Sequence, residues 1–103
     1  MSTETLEEIK IDERIRELDN EPPMFKVIMI NDNQTPMEWV QSILVDIFKH
    51  SEETARKITL TIHSEGSAVV GIYTYEIAEQ KSVEATTLSR DQGFPLQLRL
   101  DKE

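Results

Sequence analysis

The chain has 103 residues, a length that supports one domain with a modest hydrophobic core. Its formal charge of -9 at pH 7 argues against binding nucleic acid through the phosphates and favours partners with basic patches. The absence of cysteine excludes disulfides, thiolate catalysis and cysteine-type zinc sites, which fits a reducing compartment. No apolar run approaches the roughly 20 residues that span a bilayer, and the acidic N-terminus lacks the features of a signal peptide. We therefore expect a cytoplasmic protein that binds neither nucleic acid nor membrane.

Residues 1–23 differ in composition from the rest of the chain. They are rich in Glu and Asp, contain no aromatic residue and end in Pro22 and Pro23. This composition predicts a flexible acidic N-terminal arm, although partial helical spacing of its apolar residues also allows a transient helix. The arm is either a solvated tail without a role or a segment that another protein grips.

A strand and a well-marked helix open the folded part, residues 24–103. The strand begins near Met24 and is largely apolar on both faces, as expected in the middle of a small sheet. Thr35 is a suitable N-cap for the first helix, Pro36 fits the first helical position, and Glu38 lies three residues after the cap. Apolar residues then recur every three to four positions, which predicts an amphipathic helix.

Two further helices and two strands complete the pattern. The second helix is predicted to begin after Ser51 and to end at Gly66, and a strand over 68–73 follows. Thr74 is the expected cap of a third helix, which ends before Gly93, and the last strand alternates Leu with polar residues. The order β-α-α-β-α-β predicts an α+β fold, a small two-layer sandwich of a three-stranded sheet with three helices packed on one face.

Three amide or carboxylate side chains lie between the first strand and the first helix, at Asn31, Asp32 and Asn33. Their oxygens can accept hydrogen bonds from a cationic ligand. His63 lies at the end of the second helix, and antiparallel packing of the first two helices would bring it toward this loop. Two simpler interpretations stay open here, because Asn and Asp are common turn formers and the helix dipole favours a histidine at a C-terminus.

Catalysis and metal binding have weak support in the sequence. Ser64 adjoins His63, but no nucleophile elbow, Gly-rich oxyanion loop or phosphate loop accompanies them. The side chains that a metal site would use lack any recognised ligand spacing; they are Asp32, Asp46, His50 and His63. We therefore expect no enzyme, no cofactor and no bound metal. The residues alone predict a small acidic α+β interaction domain.

The segment 22–40 contains the motif Asn-Asp-x-x-Thr-Pro-Met and strongly resembles the ClpS family, the adaptor of the bacterial Clp protease. The resemblance continues through His63, Gly66 and Leu96 and spans about residues 22–101. It implies a ClpS-like core domain over 24–103, preceded by the arm at 1–23.

In function, the resemblance implies a non-enzymatic adaptor for N-degrons. Such adaptors bind substrates whose first residue is Leu, Phe, Tyr or Trp and deliver them to a Clp AAA+ unfoldase. The residues implied in binding the free α-amino group are Asn31, Asp32, Asn33 and His63. The residues implied in lining an apolar pocket for the first side chain are Thr35, Met37, Val40, Thr59, Ile62 and Leu96. Met37 is implied as a gatekeeper against β-branched first residues, since its thioether would collide with a methyl group on the ligand's Cβ.

Docking to the N-terminal domain of the unfoldase is implied for Glu76 and Lys81, although both also suit a solvated helix face. A monomer is the default expectation. A site that pairs a buried ammonium would have unsatisfied acceptors if the substrate's N-terminus were blocked. N-acetylation is therefore expected to abolish binding.

Two residues depart from the family pattern. Asn33 stands where the family usually has Asp, so we expect weaker binding of the amine. Thr59 stands where many members have Met, so we expect a wider or more polar pocket that favours Tyr or Trp over Leu. These departures keep open an alternative, a regulator that docks on the unfoldase and changes its substrate choice with an idle pocket. An alternative of another class is a small metal-dependent enzyme that uses Asp32 and His63.

Overall fold

The computed structural model describes residues 22–103, so the predicted arm lies outside the described residues except for Pro22 and Pro23. The six elements are β1 (Met24–Ile30), α1 (Met37–Asp46), α2 (Glu52–Glu65), β2 (Ser67–Thr74), α3 (Tyr75–Asp91) and β3 (Gln97–Lys102). The predicted order of elements and the α+β class are confirmed. Within 22–103, none of the helices has the length and apolar character needed to cross a membrane.

The three strands form one antiparallel sheet in the order β2-β1-β3. The central position of β1 explains its apolar character, because Val27 and Met29 are fully buried on one face and Ile28 is buried on the other. The pairing of β1 with β2 shifts between Val27 and Ile28, which leaves Val70 of β2 as an additional residue without a partner in β1. Val70 is nevertheless buried in the core.

The core lies between the helices and the face of the sheet that carries Val27 and Met29. α1 packs chiefly on α2, whereas α3 packs on all three strands. The buried residues of α3 are small, which allows a close approach of this helix to the sheet; they are Ala78, Ala85 and Ser89. The larger apolar residues of α3 lie on its exposed side; they are Ile77, Val83 and Leu88.

The boundaries of α2 and α3 follow the predicted residues. Ser51 is the N-cap of α2, and its hydroxyl accepts the backbone N–H of Thr54 at 3.2 Å. Gly66 ends α2 in the left-handed conformation at φ 93°, and its N–H donates to the carbonyl of Ile62. Thr74 is the N-cap residue of α3, although its side chain makes no capping hydrogen bond.

The predicted start of α1 is wrong by one residue. Pro36, not Thr35, is the N-cap residue, and its carbonyl accepts the N–H of Val40 at 3.1 Å. Thr35 lies in the loop before the helix, where its backbone N–H and its hydroxyl both donate to the carboxylate of Asp32. These hydrogen bonds hold Thr35 within the loop, and no side chain caps the start of α1.

Two side chains connect the region after α1 to the rest of the fold. Lys81 Nζ donates to the carbonyl of Ile47, the residue that ends α1, at 2.7 Å, and lies 5.4 Å from the centre of the Tyr73 ring. His50 Nε2 lies 2.6 Å from the carbonyl oxygen of Val70. Since a carbonyl oxygen only accepts, Nε2 is the donor in this hydrogen bond to the bulged residue of β2.

Candidate functional site

The loop between β1 and α1 is organised by the carboxylate of Asp32. Its Oδ1 accepts the backbone N–H groups of Gln34 at 2.8 Å and Thr35 at 2.7 Å, and its Oδ2 accepts the half-buried Thr35 hydroxyl at 2.7 Å. Burial alone would raise the pKa of Asp32, but these three hydrogen bonds favour the charged form more strongly, so the pKa lies below its ordinary value. Asp32 is therefore ionised at neutral pH, and its hydrogen bonds hold the loop.

A backbone hydrogen bond holds the end of β1 against the end of α2. Asn31 donates its backbone N–H to the carbonyl of Gly66 at 2.8 Å, and Ile30 pairs with Ser67 in the sheet. His63 lies on the exposed surface in the last turn of α2, about one turn before Gly66. The hydrogen bond thus brings the loop and the end of α2 to the same end of the domain.

Four of the residues predicted to line a side-chain pocket are buried in the domain. Val40 on α1, Thr59 and Ile62 on α2, and Leu96 just before β3 are 1–7% exposed. Met37 is 40% exposed in the first turn of α1, where it shares a helix face with Val40. The six predicted pocket residues therefore divide into these four buried residues, which we call the floor, the half-buried Thr35 and the exposed Met37.

The hydroxyl of Thr59 is used inside α2. It donates to the carbonyl of Ala55 at 2.7 Å. Because this bond satisfies the donor of the hydroxyl, Thr59 has only acceptor lone pairs left for a ligand. Compared with the Met that the resemblance leads us to expect at this position, Thr59 therefore differs mainly in side-chain volume.

The two predicted docking residues have different environments. Glu76 is exposed in the first turn of α3, whereas Lys81 is half-buried and bonded to Ile47. Five positions along a helix correspond to a rotation of about 140°, so these two residues do not share a helix face. The sequence spacing did not reveal the bond from Lys81, because its acceptor lies 34 residues away along the chain.

Metal ligands do not converge in the part of the chain that the structure describes. Among residues 22–103, no group of three or more His, Cys, Asp or Glu side chains could hold a metal ion. His50, one of the candidate ligands, is hydrogen-bonded to Val70 instead. The described residues thus give the metal-dependent enzyme no support.

Trp39 was not singled out from the sequence, although it lies between two predicted pocket residues. Its Nε1 donates to the hydroxyl of Ser89 at 2.8 Å, and its ring meets Phe94 edge to face with centroids 5.5 Å apart. Ser89 is 50 residues away along the chain, so no local pattern could have predicted the contact.

Comparison with known proteins supplies the family. A family model described as "ATP-dependent Clp protease adaptor protein ClpS" matches residues 20–99. The ATP-dependent Clp protease adapter protein ClpS of Cupriavidus necator is 47% identical over 81 residues, which are 79% of this chain and 75% of that protein. The adapter protein of the same name from Treponema denticola is 40% identical over 82 residues, which are 80% of this chain and 81% of that protein.

The chain is also similar to solved structures. Agrobacterium tumefaciens ClpS2 bound to L-phenylalaninamide is 42% identical, with a TM-score of 0.78, and the match covers 81% of this chain and all of that chain. These matches confirm the resemblance found in the sequence. Because the family consists of adaptors, the prediction that the chain is not an enzyme is also confirmed.

Proposed function

Because the chain belongs to the ClpS family of Clp protease adaptors, we propose that it binds proteins with a free N-terminal Leu, Phe, Tyr or Trp and delivers them to a Clp AAA+ unfoldase. The observation that carries this proposal is the hydrogen bond from Asn31 to Gly66, which joins the polar loop to the end of α2 that bears His63. The similar ClpS2 was solved with L-phenylalaninamide, a compound that has a free α-amino group and an aromatic side chain.

In this proposal, the polar residues bind the substrate's ammonium group. An ammonium has three N–H donors, and the side-chain carbonyls of Asn31 and Asn33 together with one ring nitrogen of His63 can supply three acceptors. The carboxylate of Asp32 already accepts three hydrogen bonds within the loop. Its role is then to keep the loop in place and to add a negative potential that attracts the ammonium.

The apolar floor would take the first side chain of the substrate. It is formed by Val40, Thr59, Ile62 and Leu96, with Thr35 and Met37 nearer the surface. A ligand with a methyl group on its Cβ would collide with Met37, whereas Leu or a flat ring would pass beside it. Thr59 leaves more volume than the Met of many family members, so we expect Tyr and Trp to bind more tightly than Leu.

Docking on the unfoldase would use a different part of the surface. Glu76 is exposed at the start of α3, and in this proposal it contacts the N-terminal domain of the unfoldase. Since Lys81 is bonded within the fold, we expect Glu76 to contribute more directly to docking than Lys81 does.

Fluorescence anisotropy with labelled peptides tests the proposal. The peptides differ only in their first residue, which is Leu, Phe, Tyr, Trp, Ile, Val or Met, and each is used free and N-acetylated. We expect binding of the four bulky residues with a free terminus, weaker binding of Ile and Val, and no binding of any acetylated peptide. Equal binding of free and acetylated peptides would contradict the proposal.

Two variants locate the site. His63→Ala is expected to weaken binding of every free peptide at least tenfold, because it removes an acceptor for the ammonium. Ser64→Ala is the matched control, since Ser64 is exposed next to it and bonds only within α2 in the described residues. If the chain binds the unfoldase but no free N-terminus, the alternative regulator with an idle pocket is favoured.

A further inference from the structure

A tryptophan connects the start of α1, which carries two predicted pocket residues, to the end of α3. Trp39 lies in the first turn of α1, between Met37 and Val40. Its indole N–H donates to Ser89 Oγ at 2.8 Å, and Ser89 lies near the end of α3 and is fully buried. The Ser89 hydroxyl in turn donates to the carbonyl of Ala85 at 2.7 Å. The polar groups of both partners are therefore satisfied in a buried environment.

This contact joins two helices that share one core but have different main neighbours. α1, which carries Met37 and Val40, packs chiefly on α2, whereas α3 packs on the strands. Two side-chain hydrogen bonds connect α1 to α3. Lys81 of α3 reaches the carbonyl of Ile47 at the end of α1. Trp39 reaches Ser89 from the start of α1, where Met37 and Val40 lie.

The segment after α3 extends the connection to Leu96. Phe94 packs edge to face on Trp39, and its backbone N–H donates to the carbonyl of Ser89 at 2.8 Å. Gly93 adopts φ 83°, which turns the chain sharply at this point. Pro95 restricts the backbone between Phe94 and Leu96. Leu96 lies only two residues after Phe94, which contacts Trp39, and the backbone between Phe94 and Leu96 has little freedom.

We propose that Trp39 is a positioning residue that sets the width of the side-chain pocket and thereby the preference among first residues. It would do so by holding Met37 and Val40 on α1 at a defined distance from Leu96. This inference rests on the proposed function. It concerns the selection between bulky side chains, because a small change in width affects a flat ring and a branched Leu differently.

Two single substitutions break the connection from opposite sides. Trp39→Phe removes the indole N–H and keeps an aromatic ring near Phe94. Ser89→Ala removes the acceptor and leaves the indole N–H without its partner. Each is expected to change the ratio of the dissociation constants for Phe and Leu peptides by about threefold to tenfold, the range that one hydrogen bond supplies. The double variant should change the ratio no more than the larger single effect, because both remove the same bond.

Ser42→Ala is the matched control. The Ser42 hydroxyl donates to the carbonyl of Trp39 within α1 at 2.7 Å and does not connect α1 to another element in the described residues. It should leave the ratio for Phe and Leu peptides unchanged. A proportional weakening of all peptides in the Trp39 and Ser89 variants, with an unchanged ratio, would overturn the inference, because it would indicate only a loss of folded protein.

A second measurement needs no peptide. In NMR spectra of the ligand-free protein, Ser89→Ala is expected to shift the amide signal of Val40 and the methyl signal of Met37, which belong to a different helix. Unchanged Met37 and Val40 signals would contradict the inference even if peptides bind. If the wild-type protein binds no peptide while these signals shift, the proposed function fails and the connection between α1 and α3 remains.

Discussion

Replacing Lys81 with Met tests whether this side chain stabilises the fold or contacts the unfoldase. Met keeps most of the aliphatic length of Lys and removes only the ammonium. In the wild-type structure that ammonium donates to the carbonyl of Ile47 at 2.7 Å and lies 5.4 Å from the centre of the Tyr73 ring. Both interactions are intramolecular and join α3 to α1 and to β2.

The expected cost follows from these two interactions. A hydrogen bond from a charged donor contributes about 1.5 kcal/mol, and the position of Ile47 at the end of a helix adds a favourable dipole. A cation–π contact at a half-buried site contributes about 0.5 kcal/mol. We therefore expect Lys81→Met to lower the free energy of unfolding by about 2 kcal/mol, which lowers the Tm by roughly 10 °C in a domain of this size.

Urea denaturation followed by circular dichroism measures this cost, and titration with the N-terminal domain of the unfoldase measures docking. Glu76→Ala is the comparison, because Glu76 is exposed and its removal should change the stability by less than about 0.5 kcal/mol. We expect Glu76→Ala to weaken docking without loss of stability and Lys81→Met to show the reverse. A Lys81→Met variant as stable as the wild type but defective in docking would refute the reasoning.

Three further substitutions probe the loop, the ammonium site and the sheet. Asn33→Asp should tighten binding of free Phe peptides about fivefold by anisotropy, because it adds a charged acceptor; an unchanged affinity would show that this position does not meet the ammonium. Asp32→Asn should cost about 1 kcal/mol at pH 7. Folding lowers the pKa of Asp32, so the loss of stability in Asp32→Asn should be complete above about pH 4 and should vanish as the pH falls through the folded-state pKa. Urea unfolding at several pH values measures this loss, and a loss independent of pH would contradict the charge argument. Gly71→Ala should lower the Tm by several degrees because an added Cβ would overlap the Tyr73 ring, and an unchanged melting curve would show that this ring moves freely.

The elements could be predicted from the sequence because their signals are local. Ser51 with two following Glu residues and Gly66 at the other end bound α2, and each acts through atoms within four residues. The predicted start of α1 is one residue too early because Thr35, Pro36 and Glu38 match the pattern of a cap, whereas the carboxylate of Asp32 holds Thr35 within the loop. The sequence offers both arrangements, and only the geometry distinguishes them.

The contacts that connect the elements could not be predicted in this way. Trp39 reaches Ser89 across 50 residues and Lys81 reaches Ile47 across 34, so no periodicity in the chain marks either pair. The resemblance to a family identified candidate site residues but not what holds them in place. Docking by Lys81 stays a prediction of the resemblance, and the structure adds that its ammonium is bonded to the carbonyl of Ile47.

The site separates the groups that hold the fold from the groups that are available to a ligand. Asn31 contributes its backbone N–H to the bond with Gly66, and this bond does not use its side-chain amide. The carboxylate of Asp32 accepts hydrogen bonds from the backbone of the loop. His63 is exposed in the last turn of α2, the helix that ends at Gly66. Under the proposed function, binding therefore requires no rearrangement of the bonds that form the loop, and the cost of ordering these groups is met during folding. That separation also explains why substitution of Asp32 should act on stability, whereas substitution of Asn33 should act on affinity.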